Sequence, residues 1–248
     1  MLDIQSEDLG NKQNRIVYLT GGSELETAFS EKQQDDLYCL EDQSWWFRYR
    51  ANVILVLLNR FFEKNRLILD IGGGNGYTTL RVKNSGYDVA LIEPSIEACR
   101  HAVERGISKV YCGTVDENSI PDESIEQMML LDVLEHIEDD GAFLKLLYQK
   151  ATKGGILLIT VPAYRCLWSS EDSAAGHFRR YRMEQLSLLA KEAGFKVIYS
   201  SYFMQFLFVP ILLVRVGMER VGILKKCADR TEKEKEKSLR SNLSQTIR

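Results

Sequence analysis

The stretch that decides the fold reads Leu67-Ile68-Leu69-Asp70-Ile71-Gly72-Gly73-Gly74-Asn75-Gly76. A continuous apolar run that ends abruptly in glycines is typical of a buried parallel strand followed by a tight loop. Glycines let the backbone adopt positive φ and approach a ligand closely, because no Cβ stands in the way. The residues that follow can open a helix whose free N–H groups face the same ligand. The stretch therefore predicts a nucleotide-type cofactor site at the end of the first strand of an α/β sheet.

The spacing of these glycines distinguishes one cofactor from another. The dinucleotide fingerprint G-x-G-x-x-G needs its last glycine where Tyr77 stands. Asp70 is also a poor neighbour for a pyrophosphate because like charges repel, whereas it suits a ligand with a cationic amino group. The pattern resembles the first motif, D/E-x-G-x-G-x-G, of the class I S-adenosylmethionine-dependent methyltransferases. That resemblance implies S-adenosylmethionine as the cofactor, bound through Asp70, Gly72, Gly73, Gly74 and Gly76.

Length, charge and rare residues limit the classes that remain. A chain of 248 residues with 45% hydrophobic content can bury one substantial core. A formal net charge of −3 gives no general field for nucleic acid, so we expect no nucleic-acid partner. Five scattered cysteines without a C-x-x-C pair indicate reduced thiols in a cytoplasmic protein. Three histidines without metal-ligand spacing predict no metal site.

Strand and helix patterns alternate along the chain. They predict an α/β, Rossmann-like, doubly wound and mostly parallel sheet. An antiparallel seventh strand, with which the methyltransferase fold normally closes, is not evident. The predicted strands cover residues 67–71, 88–93, 109–112, 127–132, 156–161 and 195–202.

The chain divides into a lead-in, one domain and a tail. Residues 1–34 form a polar lead-in, residues 35–224 the methyltransferase domain, and residues 225–248 a charged tail. Within the domain, a cap helix over 35–62 adds an N-terminal helical layer. Residues 203–216 form an apolar helix that is buried, contacts a second copy of the chain, or lies on a membrane surface.

Further positions are assigned to the cofactor. Glu93 ends the second strand, where a carboxylate can accept both ribose hydroxyls of an adenosine, or is an acidic strand end by chance. Thr114 and Val115 follow the third strand, where methyltransferases contact the adenine amino group, although Thr114 replaces the usual acid. Asp132 opens the segment Asp132-Val133-Leu134-Glu135-His136, which resembles a motif that lies beside the methyl sulfonium in small-molecule methyltransferases.

A late polar and aromatic connection is assigned to the acceptor. Gly176-His177-Phe178-Arg179-Arg180-Tyr181 resembles a stretch of bacterial methyltransferases of small-molecule and sugar pathways. The resemblance implies that His177 and His136 accept a proton. It also implies an acceptor pocket formed by Trp46, Tyr164, Trp168, Arg179, Arg180 and Tyr181. The alternative is that the two arginines bond carboxylates of the protein itself.

Together the motifs predict an enzyme, an S-adenosylmethionine-dependent methyltransferase. The expected acceptor is an oxygen, or a nitrogen, of a small-molecule or glycan-type substrate in the cytoplasm or at the membrane periphery. Transfer needs mainly positioning and desolvation, because the sulfonium is already activated. One alternative is an NAD-dependent oxidoreductase, against which Tyr77 and Asp70 argue. The other is a non-catalytic cofactor-binding protein of the same fold.

Overall fold

The computed structural model describes residues 6–7, 16–19, 31–210 and 212–213. In this part of the chain one sheet of seven strands is flanked by helices. The strands are β1 (Ser6–Glu7), β2 (Ile16–Leu19), β3 (Ile68–Ile71), β4 (Val89–Glu93), β5 (Val110–Cys112), β6 (Ile125–Leu131) and β7 (Ala151–Thr160). The helices are α1 (Glu31–Gln43), α2 (Trp45–Phe61), α3 (Tyr77–Asn84), α4 (Ile96–Glu104), α5 (Asp140–Lys150), α6 (Ser170–Ala174) and α7 (Met183–Glu192).

The order of the strands places the glycine loop at a change of direction in the sheet. The order is β1-β2-β5-β4-β3-β6-β7, and every neighbouring pair except β1 with β2 is parallel. The chain moves outward from β3 to β4 and β5, then returns to the other side of β3 with β6. Ligands of open α/β sheets bind at such a switch point, outside the carboxyl ends of the strands.

Three apolar clusters cover the sheet and hold its helices, one of them joining α4 to β4 and β5. Ile54 and Leu58 of α2 pack with Val82 of α3 against Ile68 and Met129. A second cluster joins the sheet to α5 and α7. Each fully buried aliphatic side chain contributes roughly 1.5–3 kcal/mol. The predicted Rossmann-like α/β class is therefore confirmed, and the N-terminal helical layer is part of the core.

The cap helix predicted over residues 35–62 is two helices. α1 ends at Gln43 and α2 begins at Trp45. Ser44 between them has extended backbone angles, φ −78° and ψ 128°, and its side chain accepts a hydrogen bond from the Trp46 amide. Serine at this position satisfies a free N–H of a new helix, so it begins α2 instead of continuing α1.

The lead-in contains strands that the sequence did not reveal. Ile16–Leu19 pairs in parallel with β5, and Ser6–Glu7 pairs antiparallel with Ile16–Leu19. Both strands are short and lie at the sheet edge, far from the other strands in sequence. A run of four apolar residues carries too little periodicity to predict such pairing.

The strand predicted over residues 195–202 is wrong. These residues form no strand, and no described residue pairs with them through a ladder. Phe195 instead packs edge to face on Tyr148, and Tyr199 packs on Phe61. Phe195 packs against the main core, but Ile198 is 60% exposed, so the apolar residues of this segment do not form the continuous buried face of a strand.

The apolar segment after residue 202 begins as a short turn. Gln205–Leu207 is a 3-10 helix, and residues 208–210 and 212–213 are helical. Phe206, Val209 and Leu213 are exposed. The rest of the helix predicted over 203–216 and the charged tail 225–248 lie outside the described residues. None of the helices in the described part of the chain is long and apolar enough to cross a membrane.

Candidate active site

The glycine loop follows β3 and requires glycine at two positions for different reasons. Gly72 has φ +70°, and a Cβ there would lie 2.5 Å from Cγ2 of Val133. Gly74 has φ +55° with open space around it, and its amide donates a hydrogen bond to Oε2 of Glu93. The loop therefore leaves its backbone uncovered on the side that faces the cleft, where Gly72, Gly73 and Gly74 form part of the wall. Gly76 caps α3 at φ +77°.

Asp70, at the end of β3, is a buried carboxylate with one oxygen satisfied. Thr79 of α3 donates a hydrogen bond of 2.6 Å to its Oδ2. Its Oδ1 is buried and has no hydrogen-bond partner among the described residues. Burial raises the pKa of Asp70 to about 6, against the hydrogen bond from Thr79. An orphaned buried oxygen beside a glycine cradle fits a ligand that brings a positive charge or a donor.

Glu93, at the end of β4, binds the backbone from both of its oxygens. Oε1 accepts from the Ser95 amide at 2.9 Å, and Oε2 accepts from the Gly74 amide at 3.0 Å. Burial raises the pKa of Glu93 to about 7, and the two amides oppose that rise. Glu93 therefore joins the glycine loop to the next strand, and each oxygen keeps a lone pair for a further donor.

Thr114 and Val115 follow β5, beside Glu93 in the sheet register. Cys112 pairs with Glu93, so the residues after Cys112 start at the same edge of the sheet as the glycine loop. Val115 is buried in the main core, Thr114 is exposed, and neither lines the cleft. If these residues contact adenine as predicted, the groups exposed for that contact are the backbone and the Thr114 side chain.

Asp132 directly follows β6 and has a left-handed backbone conformation, with φ +57°. Arg50 of α2 forms an ion pair with its Oδ2 at 2.9 Å, and Thr160 at the end of β7 donates to its Oδ1 at 3.0 Å. The Asp132 side chain is 42% exposed, whereas that of Arg50 is 9% exposed. The Arg50 guanidinium thus holds the Asp132 carboxylate in the cleft wall. It does so from α2, which lies outside the glycine motif.

The turn after Asp132 carries Glu135 and His136 into the cleft wall. Burial raises the pKa of Glu135 to about 8, and the nearby Asp132 carboxylate raises it further. Burial lowers the pKa of His136 to about 4, with the neighbouring His177 acting in the same direction. At neutral pH Glu135 therefore keeps its proton to a large extent, and His136 is a neutral imidazole.

Asp172 holds His177 and Arg180 together in the wall of the cleft, beside His136. Nδ1 of His177 lies 3.0 Å from Oδ1 of Asp172, and Arg180 donates to both Asp172 oxygens at 2.6 and 3.0 Å. Burial opposes ionisation of Asp172, but the hydrogen bonds from Arg180, the Ser169 amide and His177 outweigh it and lower its pKa to about 2. His177 is thereby oriented with Nε2 available for a proton.

The two arginines predicted to hold the acceptor bond the protein itself. Arg180 pairs with Asp172, and Arg179 forms an ion pair with Asp140 at 2.7 Å and donates to the Glu138 carbonyl. Arg180 lines the cleft and Arg179 does not. These contacts agree with the alternative interpretation of the sequence, in which the two arginines bond carboxylates of the protein itself.

The aromatic residues predicted to cover the acceptor divide into two groups. Trp46 and Tyr164 line the cleft, and Tyr164 stacks on Tyr202 with ring centroids 4.9 Å apart. Tyr181 also lines the cleft, but it is buried and its hydroxyl donates a hydrogen bond of 2.7 Å to Asp140. Trp168 does not line the cleft, since its indole N–H donates to Ser173.

Sequence reasoning missed the residues that position the others. Arg50 gave one signal, a basic residue on the apolar face of α2, and Thr79 gave none. Asp172 lies just before the late motif, and its spacing from His177 and Arg180 does not reveal that it bonds both. Such roles depend on contacts between elements, which pattern and spacing do not encode.

A family model described as a methyltransferase domain matches residues 46–200, more than half of the chain. The chain belongs to this family. The match covers the glycine loop, Asp132 and His177, and it favours the methyltransferase interpretation over the oxidoreductase one. The predicted class of protein is therefore confirmed.

Relatives and solved structures agree with this membership. The methyltransferase domain is 26% identical over 167 residues to a probable S-adenosylmethionine-dependent methyltransferase of Mycolicibacterium smegmatis, covering 64% of this chain and 62% of the relative. It is 30% identical over 102 residues to a ubiquinone biosynthesis O-methyltransferase of Azorhizobium caulinodans, covering 39% of this chain and 40% of the relative. A tRNA 5-carboxymethoxyuridine methyltransferase of Escherichia coli is 29% identical over 165 residues, covering 63% of this chain and 56% of the relative.

The fold is also that of a solved methyltransferase. Phosphoethanolamine N-methyltransferase 2 of Haemonchus contortus, in complex with S-adenosyl-L-methionine, superposes with a TM-score of 0.58 at 20% identity. The superposition covers 88% of this chain and 54% of that one. The chain thus spans less than two thirds of the length of these relatives, and at this identity the superposition shows the fold alone. The predicted cofactor agrees with the names of the relatives.

Proposed function

We propose that this protein is an S-adenosylmethionine-dependent methyltransferase that methylates an oxygen of a small-molecule acceptor. The observation that carries the proposal is the buried Asp70 carboxylate, which keeps one oxygen without a partner beside an uncovered glycine backbone. A nucleotide pyrophosphate would meet repulsion there, whereas the amino group of a methionine moiety would supply both a donor and a positive charge.

The residues that would hold the cofactor come from three strand ends. Asp70 binds the amino group, and Glu93 accepts hydrogen bonds from the ribose hydroxyls while keeping its bond to the Gly74 amide. Asp132, fixed by Arg50, faces the methyl end. When bound, S-adenosylmethionine supplies a methyl group already activated by its positive sulfur.

On the side of the cleft assigned to the acceptor, one residue serves as a base and two aromatic residues exclude water. His177, oriented through Nδ1 by Asp172, takes the proton of an acceptor hydroxyl on Nε2. A hydroxyl loses its proton on methylation, so a base positioned in this way favours oxygen over a nitrogen that attacks with a free lone pair. Trp46 and Tyr164 shield the reacting atoms from water.

Calorimetry with S-adenosylhomocysteine and with NAD+ tests the cofactor. We expect binding of S-adenosylhomocysteine and none of NAD+. Asp70→Asn should weaken that binding by about tenfold or more, since it removes the negative charge. Asp88→Asn is the matched control, because Asp88 is an exposed residue paired with Lys109 at the other end of β4. Binding of NAD+ alone, or equal affinity in Asp70→Asn, contradicts the proposal.

A transfer assay with labelled methyl groups tests the acceptor class. The panel contains catechols, sugars, an aliphatic amine and bulk tRNA. We expect label on a small hydroxyl-containing compound, and His177→Asn should lower that turnover by about 100-fold while leaving the affinity for S-adenosylhomocysteine unchanged. Label on the tRNA alone would identify a nucleic-acid enzyme instead.

A further inference from the structure

Two histidines and a glutamate from separate loops meet at the acceptor end of the cleft. Ligand-capable atoms of Glu135, His136 and His177 all lie within 4.8 Å of one another. The two imidazole rings meet edge to face with centroids 4.6 Å apart. Glu135 and His136 belong to the turn after β6, whereas His177 belongs to the connection before α7. Spacing along the chain therefore gives no metal pattern, although the fold brings these groups together.

Both imidazoles already have the outer partners that metal ligands use. Nδ1 of His177 is hydrogen-bonded to the Asp172 carboxylate, which leaves Nε2 to a ligand. His136 is hydrogen-bonded to the backbone of Ala175. A histidine that binds a metal commonly donates its other ring N–H to a carboxylate or a backbone carbonyl, which fixes its tautomer and its orientation.

The charges around the cluster leave one carboxylate uncompensated. Arg50 is paired with Asp132, and Arg180 is paired with Asp172. Glu135 is only 1% exposed, and no described residue forms an ion pair with it. Its Oε2 is buried without a hydrogen-bond partner among those residues. A buried carboxylate in this position is costly unless it keeps its proton or binds a cation.

We propose that Glu135, His136 and His177 form a site for a first-row divalent cation such as Zn2+, open toward the cleft. This inference rests on the proposed function and changes one role within it. With the cation bound, Nε2 of His177 would be a ligand instead of the base, and the cation would bind the acceptor oxygen and lower the pKa of its hydroxyl, so that the proton leaves to water. Two imidazoles and a carboxylate suit zinc and its neighbours, and three protein ligands with a free position are typical of a catalytic site. Ligand atoms around tetrahedral zinc lie about 3.4 Å apart, so no two of these atoms, which all lie within 4.8 Å of one another, would need to approach by more than about 1.4 Å.

Titration of the whole protein with Co2+ tests the site, since the visible absorption of Co2+ reports its ligands. We expect one Co2+ per chain. His177→Asn keeps an amide to bond Asp172 but has no atom in place of Nε2, and Glu135→Gln keeps the shape without the charge. Each variant should weaken Co2+ binding by about 100-fold. His101→Asn is the matched control, because the third histidine lies elsewhere, against Asn75.

Two results would overturn the site. One is wild-type protein that produces no Co2+ absorption band. The other is wild-type affinity in His177→Asn or in Glu135→Gln, with folding of the variant verified by circular dichroism. Calorimetry with S-adenosylhomocysteine on the same samples separates this inference from the proposed function. Cofactor binding without Co2+ binding removes the metal site alone, and Co2+ binding without cofactor binding removes the methyltransferase function alone.

Discussion

Asp172 holds two residues of the cleft wall in place. It is buried, and its two oxygens receive the Arg180 guanidinium and the His177 imidazole. Because its pKa is lowered from 3.8 to about 2, Asp172 contributes stability that is present above about pH 4 and is lost as the pH falls toward 2.

Asp172→Asn should therefore destabilise the fold and weaken catalysis together. Removing one partner of a buried ion pair leaves Arg180 uncompensated and costs about 3 kcal/mol. Urea unfolding at pH 7 measures this loss. Asp88→Asn, which breaks an exposed pair with Lys109, should change the free energy of unfolding by at most about 1 kcal/mol. An equal loss in the two variants would show that Asp172 has no special role.

The ionisation of Asp70 predicts how cofactor affinity depends on pH. Its pKa in the free protein is about 6, so Asp70 carries its full charge only above that value. A cationic ligand favours the charged form, and affinity should fall by up to about tenfold per pH unit below 6. Calorimetry with S-adenosylhomocysteine between pH 8 and pH 5 measures the profile. The pKa of Glu93, about 7, adds to the loss. Asp70→Asn should flatten the profile below pH 6, and an unchanged slope would rule out Asp70 as its cause.

Among the helices, α2 connects the N-terminal layer to Asp132 in the cleft wall. Its apolar face is part of the core, and Arg50 on the same helix reaches Asp132 at the end of β6. Arg50→Met should release the Asp132 carboxylate and weaken S-adenosylhomocysteine binding by about tenfold. Arg48→Met on the exposed face of α2 is the control and should bind as the wild type does. Equal binding by the two variants would make Arg50 a structural residue only.

The glycine loop and the turn after β6 are packed against each other. Gly72→Ala adds backbone strain of about 1–2 kcal/mol at φ +70° and overlap with Val133 of about 1–3 kcal/mol. Gly106→Ala is the control, since its φ is +93° and no atom lies within 4 Å of an added Cβ. In the Gly72→Ala background, Val133→Ala should recover the free energy of unfolding that is lost to the steric overlap, but not the part that is lost to backbone strain. A double-mutant cycle in urea measures it, and purely additive losses would contradict the contact.

At the scale of the whole molecule, the outer edge of β7 has no partner strand among the described residues. In contrast, β3 is paired on both sides. Alternate amides of a strand point to opposite neighbours, so roughly half of the β7 amides should exchange with deuterium much faster than those of β3. Hydrogen exchange resolved by residue measures the difference. Full protection along β7 would show that something covers the edge.

Features encoded by neighbouring residues were predicted from the sequence, whereas features that depend on contacts between distant segments were missed. The five parallel strands β3 to β7, the glycine loop and the acidic residues at strand ends were predictable, because each is encoded within about ten neighbouring residues by hydropathy and backbone conformation. The break at Ser44, the strands β1 and β2, and the irregular course of residues 195–202 were missed. Each of these depends on whether a distant segment supplies a hydrogen-bonding or packing partner.

The sequence by itself determined the family, the parallel sheet and the residues proposed to hold the cofactor, because the glycines and the carboxylates at strand ends are encoded within one short segment each. Only the tertiary structure decided what the acceptor-side residues do. It paired Arg179 and Arg180 with carboxylates of the protein, buried Tyr181, and assembled Glu135, His136 and His177 from separate loops. Ion pairs and clusters of ligand-capable side chains depend on distances in space, and these distances are set by how α2, β6 and the loop before α7 pack together.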